Sequence, residues 1–235
     1  MGELGSRLTS RGDLVRAGSG NRPALNGEKS GGEMTVDRAV GDSGFGPYTV
    51  LDLHDLPEDG KGFELEDGWL VEVAAGARHN WIARRLGAIL QESLPDDSLM
   101  VLDGGEWEVS TPAGVRKPDV LILPRDVARA VIVDEVPKLL PGLDLLLAVE
   151  VVSPGSGSER TDRVRKVREY AELGIPEYWI VEHRPGIRLL RLRLDAETGT
   201  YRADPPVNSA TLFTADIPGV DGARVSFDPA RLIEF

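Results

Sequence analysis

Three groups in this sequence could do chemistry together: Pro118-Asp119, the run Glu150-Val151-Val152-Ser153-Pro154, and Lys166 in a short basic stretch. Asp119 and Glu150 each interrupt a hydrophobic run, KPDVLIL and DLLLAVEVV, that reads as a buried strand. A carboxylate in such a run is strongly disfavoured by desolvation unless it is paired or ligates a metal. Two of them predict a divalent-cation site, and Lys166, on what reads as the next helix, adds a positive charge close by. Two acids and one lysine on adjacent elements suit metal-assisted hydrolysis of a phosphodiester. Each residue also has a plainer explanation. Asp119 could cap a turn after Pro118, and Lys166 could pair with Asp162 at i, i+4 on an exposed face, worth only a few tenths of a kcal/mol. Glu64 could be an outward strand residue, and His79, at the head of a helix, a solvated one. Only the conjunction of these residues favours a site.

The positioning elements follow from periodicity and turn chemistry. Thr49 to Leu56 reads as a short helix. Phe63 to Glu66 and Trp69 to Val73 flank Asp67-Gly68, a strong hairpin signal. Arg78 to Ser93 is amphipathic, with Ile82, Leu86, Ile89 and Leu90 on one stripe. Strands are expected near 99–102, 105–110 and 115–123, the last two joined by a Thr-Pro-Ala-Gly turn, and again at 145–152. Side chains alternate along a strand, so Leu146, Ala148, Glu150 and Val152 share one face and Leu147, Val149 and Val151 the other. A helix from Thr161 to Leu173 ends at Gly174 with Pro176 beyond. On it Val164, Val167 and Ala171 are expected to face the sheet, and Asp162, Lys166 and Glu169 to border the site. Strands at 178–182 and 187–194 follow, and the tail from 198 reads as strand-poor. Trp81, Tyr178 and Trp179 are core candidates. The Gly155–Ser158 loop reads as a flexible connection rather than a phosphate cradle, since it lacks a P-loop's lysine and spacing.

Composition narrows the function classes. The absence of cysteine excludes disulfides, zinc–thiolate sites and thiol catalysis. No apolar run approaches the roughly 20 residues of a membrane span, so the expectation is a cytoplasmic protein without a membrane partner. The net charge of −12 argues against general nucleic-acid binding, because phosphate neutralisation supplies most non-specific affinity. Residues 1–45 hold six basic and six acidic residues, so the whole excess lies in 46–235. A nuclease must then rely on a local patch, and Arg160, Arg163, Arg165, Lys166 and Arg168 form the dense one. The chain has five lysines against 22 arginines, which makes a lysine inside that patch informative. Arginine stays protonated, whereas lysine can titrate.

Residues 1–45 are rich in Gly, Ser, Asn and charge and read as a disordered tail, with 46–235 as a single domain. The myristoylation-like start at Gly2 and the Arg11-Gly12-Asp13 triplet are discounted as chance matches. Gly31-Gly32-Glu33-Met34 is what a purine-rich ribosome-binding site would encode. Two explanations stand: a physiological start at Met34, or a real disordered tail of 33 further residues. Intact-mass analysis from the native host separates them.

The segment VEVVSPGSGSERTDRVRKVREYAELGIPEYWIVE resembles the most recognisable part of the Uma-two family, within the restriction-endonuclease-like PD-(D/E)XK superfamily. The resemblance extends through KPDVLIL, the helix beginning Arg78-His79, and FELEDG at 63–68. It implies an α/β, α+β-type mixed sheet flanked by helices with an N-terminal β-hairpin. It implies also that Asp119 and Glu150, with the Val151 carbonyl, hold Mg²⁺ or Mn²⁺. Such sites read acid-any-lysine; here position 152 is valine, and Lys166 is the displaced lysine. Glu64 is the additional upstream acid, and His79 and Asp162 are further candidates. The implied activity is metal-dependent hydrolysis of nucleic acid, DNA before RNA, with a homodimer favoured if both strands are cut. A catalytically idle interaction module remains an alternative. A two-carboxylate glycosidase leaves Lys166 and the basic helix unexplained.

Overall fold

Local signals set the first elements. The Thr49 side chain accepts from the Asp52 amide while the Asp52 carboxylate accepts from the Thr49 amide. This reciprocal cap starts α1 (Val50–His54). Asp67 and Gly68 both have positive φ, 49° and 80°, as a tight hairpin turn requires. They join β1 (Phe63–Glu66) to β2 (Trp69–Glu72). The computed structural model describes residues 46–234 apart from 74, 154 and 156–158. The expectations for the N-terminal tail, the Met34 start and most of the 155–158 loop lie outside the described residues.

The amphipathic stripe forms α2 (Ala77–Ser93), followed by β3 (Leu99–Asp103), β4 (Val109–Thr111), β5 (Gly114–Arg116) and β6 (Val120–Pro124). Next come α3 (Arg125–Ile132), β7 (Leu140–Pro141) and β8 (Leu147–Val152). A π-helical turn over Thr161–Arg165 leads into α4 (Lys166–Glu172). Among the described residues six more strands follow, β9 (Glu177–Glu182), β10 (Arg188–Asp195), β11 (Thr200–Ala203), β12 (Val207–Asn208), β13 (Phe213–Asp216) and β14 (Arg224–Phe227), and then a 3-10 turn over Pro229–Ile233.

The main sheet runs β11-β10-β9-β8-β6-β3, with β12 paired to β10. β8 and β9 are parallel and their neighbours antiparallel, so the sheet is mixed as expected. Ile82, Leu86 and Leu90 of α2 cover one face, packing with Val149, Val151, Trp179 and residues of the β13–β14 pair. Ala128 of α3 and Tyr170 of α4 cover the other with Ala148, Val152 and Tyr178. β8 is buried along its whole length, which explains its near-continuous apolar sequence. A second sheet, β2-β1-β5-β4-β7, carries the predicted hairpin.

Several expectations need correction. The single strand at 115–123 is two strands in different sheets, because Pro118 has no amide to continue a ladder. Positions 105–108 are not strand, since Gly104 and Gly105 both take positive φ. α3 was not foreseen, being only eight residues long after a strand. The tail is strand-rich, carrying β11 to β14. Leu146 precedes β8 and packs with the α2-side cluster, not with Ala148. Trp81 is only half-buried, whereas Tyr178 and Trp179 are core.

The 161–173 helix differs more. Val164 is 59 % exposed, while Asp162, Lys166, Glu169 and Tyr170 face inward. The wide π-turn separates Val164 from the α-helical stripe that Val167 and Ala171 still follow. Its end matches expectation: the Gly174 and Ile175 amides bond to Ala171 and Tyr170 carbonyls, with Gly174 at φ 78°. Val167→Asp is expected to cost about 2–3 kcal/mol in urea unfolding, while Val164→Asp and Arg168→Ala stay within about 0.5 kcal/mol. Similar losses at 164 and 167 would mean that the π-turn does not set the buried face.

Candidate active site

The break at Pro118 places Arg116 at the end of β5 in the second sheet and Asp119 at the start of β6 in the main one. Asp119 sits against β8: its amide donates to the Val149 carbonyl, and its Oδ2 accepts the Val151 amide at 2.7 Å. Glu150 projects from the middle of β8 onto the face covered by α4. There its Oε1 accepts from Lys166 Nζ at 2.9 Å and from the Tyr170 hydroxyl at 3.2 Å. Glu64 arrives from β1, its Oε1 also 2.9 Å from Lys166 Nζ. Asp162 completes the surround at 3.2 Å. The four residues singled out most strongly in the sequence therefore line one cleft of about 270 Å³, together with His79, Val151, Ser153 and Asp162.

One ammonium is shared unequally among these acids. Burial opposes ionisation of Glu64, but Lys166, Arg116 and the Lys117 amide outweigh it and hold the carboxyl below its ordinary range. Burial drives Glu150 well above that range. Lys166 pulls it back only in part, since Asp162, Asp119 and Glu64 add repulsion. Asp162 is raised for the same reasons. Lys166 is buried too, yet Glu150, Glu64 and Asp162 raise its proton affinity well above that of a free lysine. The titrating role considered for it is not what these neighbours favour; it is a fixed positive charge.

His79 is not the solvated residue its position suggested. Its Nε2 lies 2.7 Å from Asp119 Oδ1. Burial works against its charge, but the Asp119 carboxylate prevails and raises the imidazole above its ordinary value. The i, i+4 pairing of Lys166 with Asp162 is real, though inside the cleft rather than on an exposed face. Nor is Glu64 outward: it is 1 % exposed.

Most of the basic patch is neutralised locally, with exposed Arg160 alone lacking an ion pair among the described residues. Arg163 pairs with Glu159 and Glu182, Arg165 with Glu66, and Arg168 with Glu172, while Lys166 is interior. Arg116 was missed altogether. It bonds Glu64, Glu66 and Glu169 and so anchors α4 to β1. The available signal was the pair of cations immediately before Pro118-Asp119. Tyr170, hidden among core aromatics, gave none.

Among the described residues no three His, Asp or Glu side chains form a ready-made ligand set. The carboxylates turn instead onto Lys166, and Asp119 onto His79 and the Val151 amide. The chemistry nonetheless fits a hard dication: oxygen donors predominate, with Glu64, Asp119, Glu150 and Asp162 lining the cleft, and burial first, then repulsion among these acids, raises Glu150 and Asp162 despite Lys166.

The Uma2 family, described as "Putative restriction endonuclease", matches residues 50–220. The chain belongs to the Uma2 family. Every cleft residue named above falls within the Uma2 match. A solved structure described as a putative nuclease belonging to DUF820, from Anabaena variabilis ATCC 29413, superposes with a TM-score of 0.57. That match covers 79 % of this chain and 97 % of the other at 14 % identity, which speaks for a shared fold. No curated protein matches the sequence.

Proposed function

We propose that this Uma2 member is a divalent-metal-dependent endonuclease acting on DNA, with residues 46–235 as its single working domain. One observation carries the proposal. Glu64, Asp119, Glu150 and Lys166, drawn from two sheets and a helix, converge on one cleft although Glu64 and Lys166 stand 102 positions apart.

Asp119 and Glu150, with the Val151 carbonyl, are the residues that would hold Mg²⁺ or Mn²⁺. Such an ion, when bound, supplies Lewis-acid polarisation of a phosphoryl oxygen and an acidified water. Lys166 offers a permanently charged donor for negative charge developing at phosphorus. Glu64, Glu150 and Asp162 hold that ammonium in one place, and Arg116 fixes Glu64. His79 holds Asp119 on the side opposite the Val151 amide. Asp162 and Glu64 close the acidic wall.

A supercoiled plasmid and labelled single- and double-stranded DNA and RNA, incubated with Mg²⁺ or Mn²⁺ and with EDTA, test the proposal. Metal-dependent cleavage of DNA that Glu150→Gln abolishes is the expected result. Metal binding with no cleavage of any of them would replace it by the idle interaction module. The acidic net charge and the locally paired arginines favour that second reading. Cutting of both strands at one position would call for a homodimer. No described helix is long and apolar enough to cross a membrane, in keeping with the cytoplasmic location we assign.

A further inference from the structure

Ser153 lines the cleft but has no part in the chemistry above. It follows β8 directly, and β9, the parallel neighbour, pairs Glu182 with Val152. His183 is thus the next residue across the sheet, and its Nε2 lies 2.8 Å from Ser153 Oγ. The imidazole is 3 % exposed, and its Nδ1 has no partner among the described residues. Burial lowers its proton affinity, and the charges of Arg78, His79 and Arg184 lower it further, outweighing a contact with its own backbone that raises it; the uncharged ring, with one proton, is favoured.

The position of that proton follows from what is left unpaired. A buried N–H without an acceptor is rarer and costs more than an unfilled lone pair. The proton therefore belongs on Nε2, donating to Ser153 Oγ, and the bare lone pair on Nδ1. Ser153 then uses its oxygen as acceptor and keeps its own hydrogen to give away. No other partner for the Oγ is found among the described residues, and the half-buried side chain borders the cleft. Arg78 and Arg184 act on His183 at this end, so its potential differs from that around Glu150.

We propose that Ser153 donates a hydrogen bond to a non-bridging phosphate oxygen of the substrate, and that His183 is the positioning residue that aims it. This rests on the phosphodiester reading given above. An acidic wall alone would repel a nucleic acid; a neutral donor at its edge gives one phosphate a seat without adding another buried charge.

The test measures binding of a fluorescein-labelled DNA oligonucleotide by anisotropy, with Ca²⁺ present and the probe checked intact on a gel. Cleavage kinetics in Mg²⁺ and thermal unfolding are followed alongside. Ser153→Ala is expected to raise Kd and KM about tenfold, as losing a hydrogen bond to a charged group should, with kcat and Tm little changed. Ser153→Thr, which keeps the hydroxyl, restores affinity. His183→Ala weakens binding like Ser153→Ala, and His183→Gln, whose side-chain amide can donate in place of Nε2, recovers it. If Ser153→Ala does not fold, Ser153→Cys, a weak donor of similar size, carries the same expected loss. A lowered Tm with unchanged Kd and KM would overturn the inference, leaving Ser153 and His183 as a tie between strands. Wild-type protein that neither binds nor cuts the probe would instead overturn the nuclease reading and this inference with it.

Discussion

Lys166→Ala is expected to lose about 3–5 kcal/mol of stability in metal-free buffer, the usual consequence of removing one partner from a buried ionic cluster. Lys166 Nζ is the shared partner of Glu64, Glu150 and Asp162, all nearly fully buried. Without it Glu150 keeps, among the described residues, only the Tyr170 hydroxyl, and three carboxylates face one another in a poorly hydrated space. Millimolar Mn²⁺ should then return a larger share of stability to the variant than it adds to the wild type, because a dication takes the place of the missing ammonium. DNA cleavage should stay absent even when stability is restored. Urea unfolding of both proteins in EDTA and in Mn²⁺ reads this out. Unchanged stability of Lys166→Ala in EDTA would show that the lysine does not hold the acids together. An identical metal response in both proteins would show that the cation binds elsewhere.

Glu150→Gln should remove most of the metal-induced stabilisation while keeping the shape of the side chain. A cation that binds only the native state adds about 2.7 kcal/mol at a hundredfold excess over Kd. In the wild type that addition relieves the repulsion which, after burial itself, raises Glu150. The same shift fixes the sign of a pH effect in EDTA. Because the folded-state pKa lies above the unfolded one, the contribution of Glu150 is fully present below the ordinary glutamate value of 4.5. It is lost as pH rises through the raised, folded value. Wild-type stability should therefore carry a downward component with rising pH above 4.5 that Glu150→Gln lacks. Thermal melts across pH, with and without Mn²⁺, check both halves. An equal Mn²⁺ response in the two proteins would mean non-specific binding to an acidic surface and would end the assignment of the site.

Much of the site was legible before any fold was known. Glu150 stands out because a charge in DLLLAVEVV violates burial unless something compensates it, and the compensating groups prove to be Lys166 and Tyr170. Asp67-Gly68 and Gly174 were legible because positive φ restricts residue choice so sharply. Asp162 was visible as the i, i+4 partner of Lys166, though not its burial. Hidden from the sequence were features without a short-range signature. The split of 115–123 depends on which strands Val115 and Val120 meet, and those partners, Leu65 and Val149, are distant in the chain. The exposure of Val164 depends on a π-turn that helical periodicity does not announce. β13 and β14 alternate inward and outward over only four residues each, too short a run to stand out among Gly, Pro and Asp.

The sequence by itself determined the family, the mixed architecture and the four charged residues that the fold brings to one cleft. Those are matters of neighbours: alternation along β8, the cap at Thr49, apolar runs broken by one carboxylate. Only the tertiary structure decided how the charges are shared. Glu64 became an ionised anchor because Arg116 and the Lys117 amide, placed by the second sheet, reach it as well as Lys166. Glu150, with the same lysine at the same distance, is driven the other way, by burial first and then by Asp162, Asp119 and Glu64 folded around it. Electrostatic interaction depends on separation and burial, and a linear chain specifies neither until its sheets have closed.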